Sequence, residues 1–249
     1  MCRPLIVIPA RYASTRLPRK MLLDRTGKPL IRHTYEAASR SRLAEGVVVA
    51  TDHPEIEAAI RSFGGNVLMT DPDARSGTDR VAEIARRLPE YDLLVNVQGD
   101  EPEIEAAAID RAIELLRDDP AAVMATLGTP LRDRKRLEDP AAVKLVKDRS
   151  DNALYFSRSV IPHPRSWSDS MLAAEPPLWL LHLGLYVFRR DFVIDFGSLP
   201  PSPLETTEML EQLRVLEAGY RIKVGVVERS AGGIDTPEDY EAFVSRSRR

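Results

Sequence analysis

The stretch Leu5-Ile-Val-Ile-Pro-Ala-Arg-Tyr-Ala-Ser-Thr-Arg-Leu-Pro-Arg-Lys20 opens on four consecutive apolar residues and then turns basic. The apolar run is unbroken rather than alternating, as expected of a strand covered by helices on both faces. Similar runs recur at 47–50, 66–69, 93–97 and 123–126, and the segments between them, 30–43, 54–63, 77–88 and 103–117, carry helical periodicity. Strand–helix alternation of this kind predicts a largely parallel sheet in a three-layer α/β arrangement.

In such a sheet, ligands bind beyond the carboxyl ends of the strands, where the loop after the first strand must lie. From Pro9 to Leu23 that loop carries Arg11, Arg16, Arg19 and Lys20 and no acid. It reads either as a solvated basic loop or as a cradle for phosphates, with the guanidinium groups and the Ser14 hydroxyl as donors and Lys20 as a point charge. It lacks the glycine spacing of a Walker A loop or a dinucleotide fingerprint.

The second half is less regular. Residues 131–180 are rich in Pro, Ser and charge, with weak strand signals at 153–156, and clear strands follow at 183–188 and 222–227. Ser202, Pro203 and Glu205 spell a capping box, and Met209, Leu213 and Leu216 predict one continuous helix ending at Gly219. Thr236-Pro237-Glu238 opens the last helix by the same logic. The whole chain, 1–249, reads as one domain, with roughly 131–200 inserted into it. Its 43% apolar and 29% charged residues suit a soluble folded chain, and the net charge of -3 argues against a nucleic-acid partner. A single cysteine excludes an intrachain disulfide and a multi-cysteine zinc site, and the short first apolar run is too brief for a membrane span. Both features point to a reducing, cytoplasmic setting. His33, His53 and His163 have no metal-ligand spacing.

Two acids stand at element boundaries, one after the fourth strand and one before the last helix. Asp100 follows Gln98-Gly99 at the end of the fourth strand, where Gly99 would allow a tight turn. A carboxylate facing a phosphate loop suits magnesium, which takes one or two carboxylates with phosphate oxygens and water. Asp235 precedes the last helix and on its own reads as a turn residue. Ser76-Gly77-Thr78 likewise reads alone as a helix cap.

Several segments taken together resemble the 3-deoxy-manno-octulosonate (Kdo) cytidylyltransferases. They are Ile8-Pro-Ala-Arg-Tyr-Ala-Ser-Thr-Arg-Leu-Pro18 with Lys20, Arg75-Ser-Gly-Thr-Asp79, Gln98-Gly-Asp-Glu-Pro102, Tyr155-Phe-Ser-Arg158, His182-Leu-Gly-Leu-Tyr186, Glu208-Met-Leu-Glu-Gln-Leu-Arg214 and Asp235-Thr-Pro-Glu-Asp239. The resemblance spans almost the entire chain. It implies a Rossmann-like, glycosyltransferase-A-like nucleotidyltransferase sheet with an inserted sugar-binding and dimerisation subdomain, and a homodimer. It implies CTP held by Arg11, Ser14, Arg16, Lys20, Ser76, Gly77 and Thr78, with the Ser-Gly-Thr segment beside cytosine. It assigns Mg2+ to Asp100 and Asp235, catalysis to these and Lys20, and the sugar to Gln98, Arg158, His182, Tyr186, Glu211 and Gln212. Glu208, Glu211 and Gln212 are expected on one helix face. Arg19 stands where the family commonly has glycine, and Asp79 where glutamate is common. A cytidylyltransferase for another acid sugar (a sialic acid or 8-amino Kdo), or a silent nucleotide sensor on the same fold, is the alternative.

Overall fold

The computed structural model describes residues 2–14, 16–228 and 232–247. Strand β1 (Pro4–Ala10) lies between two parallel neighbours, β2 (Gly46–Thr51) and β4 (Leu93–Asn96), and β3 (Val67–Met69) adds outside β2. Helices α1 (Leu30–Ala38), α2 (Pro54–Ser62) and α3 (Gly77–Arg87) connect these strands, and α4 (Ala106–Asp118) leads to β5 (Ala122–Pro130). The unbroken apolar run of β1 has its cause here. Ile6 and Ile8 pack with Ile31, Ile56 and Ile109, whereas Leu5 and Val7 face the other way, with Val81 and Ile84. Ile6 and Ile8 are fully buried, each worth about 1.5–3 kcal/mol by removal from water.

After β5 the chain leaves the main sheet through α5 (Arg134–Glu138) and the antiparallel pair β6 (Lys144–Lys147) and β7 (Ala153–Ser157). It returns as β8 (Leu180–Arg189), which pairs antiparallel with β4 on one side and β5 on the other. The irregular middle therefore contributes a central strand, and the excursion proper lies between β5 and β8. Beyond β8 come α6 (Arg190–Phe196), α7 (Pro203–Glu208), α8 (Gln212–Glu217), β9 (Arg221–Val226), which pairs parallel with β5, and α9 (Pro237–Ser247). The path order is β3-β2-β1-β4-β8-β5-β9, along which β8 alone runs against the rest, with β6, and through it β7, attached to β8 off this path. The mostly parallel α/β expectation is met.

The capping box at Ser202 and Glu205 forms as expected, and Gly219, at φ +81°, follows the last turn of α8. The continuous helix does not form. Met209 takes a left-handed conformation (φ 54°, ψ 50°) and breaks it, so α7 and α8 are separate and Met209 is 76% exposed rather than on a buried face. The Arg214–Glu205 ion pair, 2.5 Å and largely buried, ties the two short helices together across the break.

The order 2-1-4 makes the gap between β1 and β4 the point where the chain reverses its direction of sheet growth, and there the loops after β1 and β4 diverge. Gly99 sits in this gap. It is not a left-handed turn residue, because the positive-φ glycines are Gly27, Gly64 and Gly219. Its role is close approach: a Cβ there would lie 2.9 Å from the Pro9 carbonyl oxygen and 3.1 Å from Met21 Sδ. Gly99→Ala is expected to cost about 1–3 kcal/mol, a fall of roughly 2–12 °C in Tm. At Gly197 a Cβ would meet only Asp79 Oδ1, at 3.7 Å, so Gly197→Ala should leave Tm within about 2 °C. Thermal melts of the two variants check this.

Candidate active site

A cleft of about 480 Å³ opens at the carboxyl ends of β1 and β4, lined among others by Arg11, Ser14, Arg16, Lys20, Gly77, Gln98, Asp100 and Asp235. A larger depression, about 830 Å³, runs along Asp133 to Asp139 and is lined by charged residues around the short α5, which follows β5 rather than β1 or β4. The sheet's geometry favours the former as the site.

Its centre is Lys20. The side chain is only 9% exposed, and Nζ donates to Asp100 Oδ2 at 2.5 Å and to Asp235 Oδ1 at 3.2 Å. Arg16 reaches the same Asp235 oxygen at 3.0 Å. Two segments far apart in sequence meet here because the Ile234 N–H donates to the Asp100 carbonyl at 2.9 Å. Ile234 is also buried with Leu17, Leu30, Tyr240 and Phe243, which fastens the basic loop and α9 to the same spot. The Asp239 carboxylate accepts from the N–H groups of Asp235 and Thr236 at 3.1 and 2.9 Å, capping α9 and fixing the backbone of Asp235.

The remaining loop cations differ in their freedom. Arg11 is exposed, with Nη2 on the Arg75 carbonyl at 2.8 Å. Arg19 turns away from the cleft and binds both carboxylate oxygens of Glu55 at 3.0 and 2.8 Å. Its backbone is left-handed (φ 54°, ψ 29°), a conformation that glycine adopts freely and that costs another residue about 1 kcal/mol or more.

Of the Ser76-Gly77-Thr78 segment, Gly77 alone lines the cleft. Ser76 caps α3, accepting from the Asp79 N–H at 3.2 Å. Thr78 is buried and donates to Glu211 Oε2 at 2.7 Å, so its hydroxyl is taken by that carboxylate rather than facing open space.

The residues that the resemblance assigns to the sugar converge only in part. Gln98 Nε2 donates to the Gly184 carbonyl at 3.4 Å, where β8 runs on past the end of β4. The β5–β8 register slips there, between Thr126 and Leu127. The Thr126 hydroxyl reaches the slipped carbonyls of Leu185 and Leu183, at 2.9 and 3.2 Å, sharing its one proton between them. With its proton so placed, it accepts from His182 Nε2, 3.1 Å away. His182 lies between Phe156 and Tyr186, and burial pushes its pKa down to about 3, so the ring is neutral. Tyr186 OH donates to Gln212 Oε1 at 3.3 Å, and burial with the Glu211 and Glu101 charges raises its pKa. Gln212 Nε2 and Asn96 Oδ1, both buried, have no partner among the described residues.

Arg158 stands apart from this group. Its Nε and Nη1 are taken by the carbonyls of Glu208 (2.7 Å) and Pro140 (3.0 Å). Glu208 itself holds Ser157 Oγ and the Arg158 N–H, at 2.6 and 2.9 Å. The break at Met209 thus separates Glu208 from Glu211 and Gln212, and the expected common helix face does not exist. Glu101 was readable only as a cap, yet burial and the adjacent Asp100 charge push its carboxyl up to about 8. No spacing in the sequence marks it beyond its place beside Asp100.

Comparison with known proteins bears on the whole chain. Residues 5–222 match the family model described as cytidylyltransferase. A 3-deoxy-manno-octulosonate cytidylyltransferase of Rhodopirellula baltica is 50% identical over 243 residues, covering 97% of each chain. One from Geobacter sulfurreducens is 48% identical over 244 residues, covering 96% of this chain and 97% of the relative. The structure of CMP:2-keto-3-deoxy-manno-octonic acid synthetase complexed with CTP superposes with a TM-score of 0.92 at 42% identity, over 99% of this chain and 98% of that one. A cytidylyltransferase from Leptospira borgpetersenii (TM-score 0.63, 19% identity, 98% of this chain and 86% of that one) shares the fold alone. With near-complete coverage on both sides, and the basic loop, paired aspartates and mixed sheet in place, the chain belongs to the cytidylyltransferase family, among its 3-deoxy-manno-octulosonate members.

Proposed function

We propose that the protein transfers CMP from CTP to the anomeric hydroxyl of 3-deoxy-manno-octulosonate, releasing pyrophosphate and the hydroxyl proton. The product is the activated sugar from which lipopolysaccharide is built. The observation that carries the reading is the Lys20 ammonium held between Asp100 and Asp235 at the mouth of a basic loop, in a chain of this family. The same arrangement argues against a silent sensor, since holding a nucleotide needs no paired carboxylates.

The two carboxylates fit a hard divalent cation, because both already converge on one cationic atom. Among the described residues no third His, Cys, Asp or Glu joins them, so phosphate oxygens and water would complete the shell, as magnesium prefers. Bound there, the ion would supply charge neutralisation and a lowered pKa for the attacking hydroxyl. Arg11, Arg16 and Lys20 hold the triphosphate and balance the charge developing on pyrophosphate as the α–β bond breaks. Gln98, Tyr186, Glu211 and Gln212 orient the sugar by hydrogen bonds, with neutral His182 packed behind them. Arg158 acts at one remove, by fixing the backbone around Glu208. Phosphoryl-type transfer needs mainly position and charge, so no protein nucleophile enters. A homodimer and a cytoplasmic location complete the proposal; no helix among the described residues is long and apolar enough to cross a membrane.

Pyrophosphate release, measured over a panel of nucleotides and acid sugars, tests the reaction. CTP should exceed ATP and GTP by roughly 5- to 150-fold, the worth of one mispaired base-edge hydrogen bond. Kdo should exceed sialic acid. Equal use of ATP would reject the cytidylyl assignment.

Asp100→Asn and Asp235→Asn keep shape and remove charge. Each should lower kcat about 100-fold, and the double variant little further, because either change disables one unit. Unchanged magnesium dependence together with a lowered Tm for Asp235→Asn would make that residue a turn element only.

Thr78→Val removes the donor to Glu211 without changing volume much. The expected outcome is a KM for the sugar raised roughly 10-fold with the KM for CTP unchanged, since a hydrogen bond to a charged group is worth about 1.5–3 kcal/mol. The reverse split would return Thr78 to the base.

A further inference from the structure

Arg19, Glu55 and Tyr12 form a closed triangle of polar contacts, in which Tyr12 and Arg19 are chain neighbours of the cleft-lining Arg11, Ala13 and Lys20. Arg19 Nη2 donates to both Glu55 oxygens, Arg19 Nε to Tyr12 OH at 2.5 Å, and Tyr12 OH to Glu55 Oε1 at 3.0 Å. The base of the triangle is firm. The Tyr12 ring stacks on His53 at 3.5 Å and 11°, and His53 Nδ1 caps α2 by accepting from the Glu55 N–H at 3.3 Å. The Tyr12 N–H donates to Asp52 at 3.4 Å, and Asp52 is itself held by the buried Arg80 at 2.7 Å.

Tyr12 and Arg19 stand at the two ends of the basic loop, so Glu55 closes that loop as a clasp would. The left-handed turn at Arg19 sends neighbouring side chains in opposite directions: Arg19 out to Glu55, 58% exposed, and Lys20 inward to the aspartates, 9% exposed. An untethered arginine has no reason to hold this conformation, whereas one tied at three points is kept in it. With its charge matched by Glu55, Arg19 is not a free phosphate ligand.

We infer that Glu55, acting through Arg19 and Tyr12, is a positioning residue that closes loop 12–19 and sets Lys20 for the phosphates of the nucleotide. The inference rests on the proposed CTP-binding role of this loop. Preorganising the loop favours nucleotide binding and leaves the sugar side untouched.

Glu55→Ala and Arg19→Gly, the latter free to keep the same φ, test it. Each should raise the KM for CTP about 3- to 10-fold, while kcat and the KM for the sugar stay within about twofold and Tm within about 2 °C. The double variant should be no worse than either single, because both break one clasp. Amide hydrogen exchange of residues 12–20, measured without substrates, should accelerate in Glu55→Ala. An unchanged KM for CTP with unchanged exchange, or losses that multiply in the double variant, overturns the inference. If the wild-type protein uses no CTP, the proposed function falls, and the exchange rates alone decide on the clasp.

Discussion

Two carboxylates that touch one ammonium nitrogen repel each other by about 3 kcal/mol at an effective dielectric of ~20, and this chain is built to keep them together. Lys20 offsets the repulsion, but the distance is set by backbone. The Ile234 N–H on the Asp100 carbonyl, the apolar cluster of Leu17, Ile234 and Tyr240, and the absence of a side chain at Gly99 all act on the same few ångströms. Each removes freedom that two like charges would use to separate. A cation held there, as proposed, would meet acids already gathered, so that reorganisation would contribute little to the barrier.

The residues proposed for the sugar follow another logic, in which neutral groups are held by hydrogen bonds and enclosed from water. Thr126 fills the slipped register of β8, His182 is kept uncharged, and Tyr186 is kept protonated by burial and two nearby acids. The Thr78–Glu211 bond joins the start of α3 to the start of α8. Gln212 Nε2 and Asn96 Oδ1 are buried polar atoms with no partner among the described residues.

What could be read from the sequence was whatever local chemistry determines. The strands of the first half are buried on both faces, so their apolar runs are unbroken; the caps at Ser202 and Thr236 are local hydrogen bonds with fixed spacing. Asp100 was legible from its place after a glycine at a strand end and Lys20 from its acid-free loop, whereas Asp235 on its own reads as a turn residue and is singled out only by the family resemblance. The left-handed residues Arg19 and Met209 were not, since an ordinary side chain at positive φ is held by distant partners and leaves no mark on its neighbours. Glu55 looked like any acid in a first helical turn, and Thr78 like part of a cap; their partners lie 36 and 133 residues away. The place of β8 between β4 and β5 is likewise a matter of topology, which composition does not encode.

That placement bears on how the polypeptide comes into being. The β1–β4 half and the β5–β9 half of the sheet are joined along β8. During translation the apolar β4 is complete long before Arg189 has been made, and at ~5–20 residues per second its edge waits roughly 5–20 s for its neighbour. An unpaired, buried-type edge is a template for pairing with another chain. The nascent protein thus passes through a period in which its own sheet is an open invitation to self-association, and demand for chaperones should be greatest while residues 97–189 emerge from the ribosome.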